Sequence, residues 1–103
     1  MSKYAVAKTE VGVYEKTLVA NTVDAVEFGA NLSAVEVVKE DEGAAIYFTV
    51  DGGDPTVKGQ ACYQMPAGVM SVRVVLSKTN PATAVKLISS GTPKYSVCKV
   101  SDR

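Results

Sequence analysis

The sequence predicts an all-β fold, a small β-sandwich of about seven to eight strands with an N-terminal arm or edge strand. Three observations lead there. Valine supplies 18 of the 103 residues, and with Thr and Tyr it gives a β-branched and aromatic bias that suits a pleated, half-buried surface better than a helix. Short runs of these residues recur between clusters of Gly, Pro, Asn and Asp, at the spacing of a sandwich or barrel. No segment keeps a helical period for long.

Strands are expected near Val13–Ala20, Thr22–Phe28, Ala34–Lys39, Ala44–Val50, Gln60–Met65, Met70–Leu76, Val85–Ile88 and Tyr95–Val100. Ahead of them, residues 1–12 read as an arm or edge strand, with Gly12 inside an otherwise strand-like run. Residues 13–103 form one domain, because a chain of 10.8 kDa buries a single core. In the run through Val50, Ile46, Phe48 and Val50 point one way and Ala45, Tyr47 and Thr49 the other, which predicts a central strand. Val72, Val74 and Leu76 alternate with Ser71 and Arg73, as in a strand with one buried face. Reversals are expected at Gly29-Ala30-Asn31, Glu40-Asp41-Glu42-Gly43, Asp51-Gly52-Gly53-Asp54-Pro55, Pro66-Ala67-Gly68, Asn80-Pro81 and Ser90-Gly91-Thr92-Pro93.

Composition excludes several classes. Hydrophobic residues at 47% and charged residues at 21% describe a folded globular chain, not a disordered one. No apolar run approaches a membrane span, and the start MSKYAVAKTE lacks the apolar centre of a signal peptide, so synthesis and retention in a host cytoplasm are expected. Cys62 and Cys98 fit that compartment as free, buried thiols, with a disulfide open only if the fold brings them together. Eleven basic and eleven acidic side chains cancel, which leaves no net charge to attract nucleic acid or an anionic membrane. Residues 1–54 hold ten acids against four bases, and residues 55–103 seven bases against one acid. Either the halves interleave and the charges mix, or the molecule is polar and suited to ordered contacts.

The chain has no histidine, which removes the commonest general base and metal ligand. No serine sits in a nucleophile elbow, and Gly52-Gly53 lacks the continuation of a phosphate-binding loop. An enzyme is therefore not expected, and neither is a cofactor. Asp51-Gly52-Gly53-Asp54 could supply half of a calcium site, but turn chemistry accounts for it more simply. The aromatics, five Tyr and two Phe, read as core filling. Only Tyr95, between Lys94 and Lys99, approaches a nucleic-acid pattern. Tyr4 and Tyr14 on the arm and Asp51 and Asp54 in the loop Asp51–Gly59 are the candidate protein contacts, since free edges and loops make contacts.

The segment "AIYFTVDGGDPT" resembles the signature of immunoglobulin-like modules at the ends of chitobiase-type enzymes, a strand followed by a turn. This resemblance implies an immunoglobulin-like sandwich. Over more of the chain, "LVANTVDAVEF", "VEVVKEDEGAAIYFTVDGGDPTV", "MPAGV" and "AVKLISSGTPKYSV" resemble a family of small proteins encoded among the structural genes of tailed bacteriophages. The resemblance implies a virion component, first a capsid decoration (cement) protein that binds and stabilises the head in many copies. Its partners would be the major capsid protein or another virion protein, with the chain itself a homo-oligomer or multi-copy on the particle. A head-to-tail junction or tail protein is the alternative within that family, and a carbohydrate-binding immunoglobulin-like module the alternative from another class.

Overall fold

The computed structural model of the chain describes residues 3–7, 9–40, 44–66, 68–75 and 82–102. Eight strands account for its regular structure: β1 (Lys3–Val6), β2 (Gly12–Thr17), β3 (Asp24–Lys39), β4 (Ile46–Thr49), β5 (Tyr63–Met65), β6 (Ser71–Val75), β7 (Ala82–Ile88) and β8 (Lys94–Asp102). The fold is all-β and sandwich-like, as the valine-rich runs predict. The expected arm is strand β1, which pairs in parallel with β3 from Lys3 opposite Ala25 to Val6 opposite Phe28.

One expectation is corrected. The sequence places a reversal at Gly29-Ala30-Asn31 between two strands, yet β3 runs through these residues as one strand of 16. Its first half pairs with β1 and β7, its second with β6 and β8. Leu32 is where the change occurs, opposite Ala82 of β7 and Asp102 of β8, with register shifts on either side. Irregularities of this kind bend a strand from one sheet to the next without reversing it. The tips at Asp41–Gly43, Ala67 and Asn80-Pro81 and the apolar Leu76 lie outside the described residues.

Folding about β3 gives two layers. One runs β1, β3, β7, β4, β5, and the other β2, β8, β3, β6. Val26, Phe28, Val85, Leu87, Ile46, Phe48 and Met65 from the first meet Val35, Val37, Val74, Tyr95 and Val97 from the second, all in one buried cluster. Strand β4 is buried on both faces, including Tyr47 and Thr49, and both of its edges are paired, to β7 and to β5.

Few polar side chains are buried, and among the described residues none of their nitrogen or oxygen atoms lacks a partner. Tyr95 of β8 donates its hydroxyl to Asp24 Oδ2 at the start of β3, 2.9 Å away, joining the layers through the core. Lys39, only 1% exposed, donates Nζ to the Pro66 carbonyl at 2.8 Å and its backbone N–H to Met70 O. It thereby holds the crossover from β5 in one layer to β6 in the other.

Gly12 has a packing role that its place in the strand-like run hints at. It faces Cys98 of β8, and a Cβ there would press into the Val97 carbonyl oxygen and lie 2.7 Å from Cys98 Cα. Gly12→Ala must push β2 off β8. The expected loss is about 1–3 kcal/mol, read as a lowered midpoint in chemical denaturation; an unchanged midpoint would show that the edge yields freely.

Candidate functional site

The connection between β4 and β5 spans residues 50–62, long for a compact sandwich, and such loops usually carry function. Hydrogen bonds give it a fixed shape. Asp51 Oδ1 accepts the Gly53 N–H at 3.0 Å, Gly52 takes φ +89°, and Thr49 Oγ1 donates to the Gly53 carbonyl. This is the Asx-type turn that the Asp-Gly-Gly-Asp pattern predicts. Pro55 is buried at its exit. A second turn follows, with Gly59 N–H on Thr56 O at 2.9 Å and the Cys62 thiol donating to the Thr56 and Gly59 carbonyls.

Lys86 of β7 pins the first turn from below. Its Nζ donates to Gly52 O at 3.1 Å and pairs with Asp54 Oδ1 at 3.0 Å. The ammonium is mostly covered, while the Asp54 side chain is 70% exposed. Solvent weakens the charge attraction at such a site, but the two bonds fix the loop's direction.

A groove of about 330 Å³ opens beside this loop, lined among others by Asp51, Gln60, Cys62 and Tyr63. One face of the Tyr63 ring stacks on Phe48, with centroids 5.4 Å apart and planes 22° off parallel. The residue is still 48% exposed. The groove therefore brings together residues of the acidic turn and an anchored aromatic ring at the start of β5.

The four candidate contacts do not share one surface. Asp51 and Asp54 are exposed on the pinned turn. Tyr4 lies on β1, three strands from β4 and so about 14 Å away across the sheet. Its ring packs against the core with Lys16 Nζ 4.8 Å above its centroid. Tyr14 is 59% exposed on β2, where the pairing with β8 slips between Val13 and Lys16 and Glu15 takes φ 55°. This bulge is held by Glu15 N–H on Ser96 Oγ, which itself donates to Glu40 Oε1 at 2.6 Å. Lys86 and Tyr63 lie outside the candidates that the sequence offers. Lys86 reads as a polar residue in an alternating strand, and its contact with Asp54 joins residues 32 apart in sequence.

Both thiols are free. Burial first, then the Glu36 charge, raises the Cys98 thiol above its ordinary range, with Arg73 acting the other way. The thiols are not joined in a disulfide, as the free-thiol reading expects, but both are only partly buried where that reading has them buried.

The fold and loop define a β-sandwich with a hydrogen-bonded loop beside a groove. No family model matches the chain, and no curated protein does. Among solved structures it is similar to PliG of Aeromonas hydrophila, a periplasmic inhibitor of g-type lysozyme, with a TM-score of 0.54 and 11% identity over 93% of this chain and 94% of that one. A mutant of the PliG of Escherichia coli aligns over 94% and 96%, at 18% identity and a TM-score of 0.41. At these identities the likeness is one of fold.

These findings correct the expectation of a tailed-phage virion protein. The solved structures it resembles in fold are periplasmic lysozyme inhibitors and not virion proteins. The capsid decoration role, the junction or tail alternative, the carbohydrate-module alternative, the capsid-protein partner, the virion location and the expected retention in a host cytoplasm all fall with it. The physical reason is plain in the quoted segments. "AIYFTVDGGDPT" is strand β4 with its Asx turn, and "AVKLISSGTPKYSV" runs from within β7 through the turn at Ser89-Ser90-Gly91 into the start of β8. Such strand and turn sequences arise wherever a sandwich needs those parts, so they carry architecture and no partner.

Proposed function

We propose that this chain is a protein-binding inhibitor domain whose target is a lysozyme, with a g-type lysozyme the first to test, and that it presents the 50–62 loop and Tyr63 to that target. The observation that carries this reading is the loop itself. A 13-residue connection tied by Asp51, Thr49, Lys86 and two turns sits on an architecture similar to that of a lysozyme inhibitor along almost its whole length. Inhibition by occlusion requires only that a rigid surface fill a cleft and stay there. It needs no acid, base or nucleophile, in keeping with a chain that lacks histidine. A loop already fixed in shape loses little conformational freedom on docking, so more of its contact energy is left for affinity.

The test is lysis of bacterial cell walls by a g-type lysozyme, followed by turbidity, with increasing amounts of the purified chain. Stoichiometric loss of activity and a one-to-one complex on gel filtration are expected, with a lysozyme of another type as the specificity control. Lys86→Met keeps the methylene stem but frees the first turn. It should weaken inhibition by about tenfold, mainly through faster dissociation, at nearly unchanged thermal stability. Full lysozyme activity at a large molar excess of the chain would refute the proposal.

A further inference from the structure

The groove beside the loop has a chemistry that selects its occupant. Asp51 is the one charged residue of its lining. Its Oδ1 is taken by the Gly53 N–H, and no cation among the described residues pairs with the carboxylate, since the two ion pairs there use Glu36 and Asp54. The neighbouring ammonium of Lys86 is committed to Asp54 and the Gly52 carbonyl. The groove thus carries an unneutralised negative charge with Oδ2 left to accept. The same groove is lined by Tyr63, held by Phe48 on one ring face and half exposed. A carboxylate beside an anchored aromatic face is a receptor for a cation, and a planar guanidinium satisfies both at once, stacking on the ring while donating to the carboxylate.

We infer that this groove seats an arginine side chain projected by the protein partner, with Asp51 pairing the guanidinium, Tyr63 stacking beneath it and Gln60 contributing amide hydrogen bonds at the rim. The volume, about 330 Å³, lies at the small end of ligand sites and suits one long side chain better than a bulky ligand. A lysine would gain the charge attraction but lose the stacked plane and the paired donors. The inference rests on the proposed protein-binding role for its partner, but the seat can be tested without any lysozyme.

The experiment is an amide NMR titration of the full chain with N-acetyl-arginine amide, with N-acetyl-citrulline amide as the neutral isostere. Saturable millimolar shifts confined to Asp51, Gln60, Cys62 and Tyr63 are expected with the arginine compound, and none with citrulline. Asp51→Asn retains the side-chain oxygen that accepts from Gly53 and so preserves the turn. It should lower arginine affinity by about tenfold. Equal shifts with citrulline, shifts scattered over the surface, or unaltered affinity in Asp51→Asn would overturn the seat. If the arginine compound binds as described but no lysozyme is inhibited, the target assignment fails and the seat stands. If lysozyme is inhibited equally by wild type and Asp51→Asn, the seat is not the contact and the inference fails alone.

Discussion

Tyr95→Phe is expected to destabilise the fold by about 1–3 kcal/mol near neutral pH, because it removes a hydrogen bond to a buried carboxylate and leaves the ring volume unchanged. Tyr95 is fully buried, and its hydroxyl reaches Asp24, itself 1% exposed, across the two layers. Burial first, then the Asp24 charge and hydrogen bond, lifts the phenol far above its ordinary value of 10.0. A raised value means that the folded state holds this proton more tightly than the unfolded chain does. Its contribution is whole below pH 10 and erodes as pH rises above it, by about 1.4 kcal/mol per pH unit from this one group. The Phe variant lacks the titration. Its deficit against wild type, measured by denaturant unfolding, should therefore narrow between about pH 9 and pH 11. A deficit constant across that range would show that the phenol is not held neutral by the fold. Tyr95→Ala adds a cavity and should cost about 3–5 kcal/mol.

Lys39→Ala should be nearly as damaging, at about 2–5 kcal/mol, the range for truncating a buried side chain of similar length. Its long stem fills space at the end of the core, and its Nζ and backbone N–H hold Pro66 and Met70 in the crossover. Lys39→Met keeps most of the volume and relieves a buried charge of its desolvation, so it should stay within about 1.5 kcal/mol of wild type. Hydrogen exchange separates the two roles. In both variants the amides of Val69 and Met70 should exchange faster, since the tie to Pro66 is lost, while only the Ala variant should lower the global melting temperature by many degrees. A Met variant as unstable as the Ala variant would give the ammonium, and not the stem, the larger part.

These predictions rest on residues whose importance local pattern does not reveal. Ile46, Phe48 and Val50 alternate with Tyr47 and Thr49, so a strand in that stretch is legible from side-chain period alone. The Asp51 turn is equally legible, since a carboxylate two residues before Gly53 with glycine between leaves the backbone few other choices. Gly29-Ala30-Asn31 misleads for the same reason. Its composition permits a reversal, and nothing nearby in sequence says that two different sheets claim the halves of β3. Tyr95 reads as one more aromatic, or as a ring between lysines, until Asp24, 71 residues away, is seen to lie under its hydroxyl.

What the chain's order of residues determines by itself is its class: valine-rich alternation and glycine or proline breaks demand paired strands, because only pairing in sheets satisfies the backbone while burying those β-branched faces. Which strands pair, and hence that Lys86 clamps the loop, that Tyr63 lies on Phe48 and that Asp51 and Tyr63 line one groove, is decided in the tertiary structure. Those contacts join residues distant along the chain, and their energies exist only once the sandwich has closed.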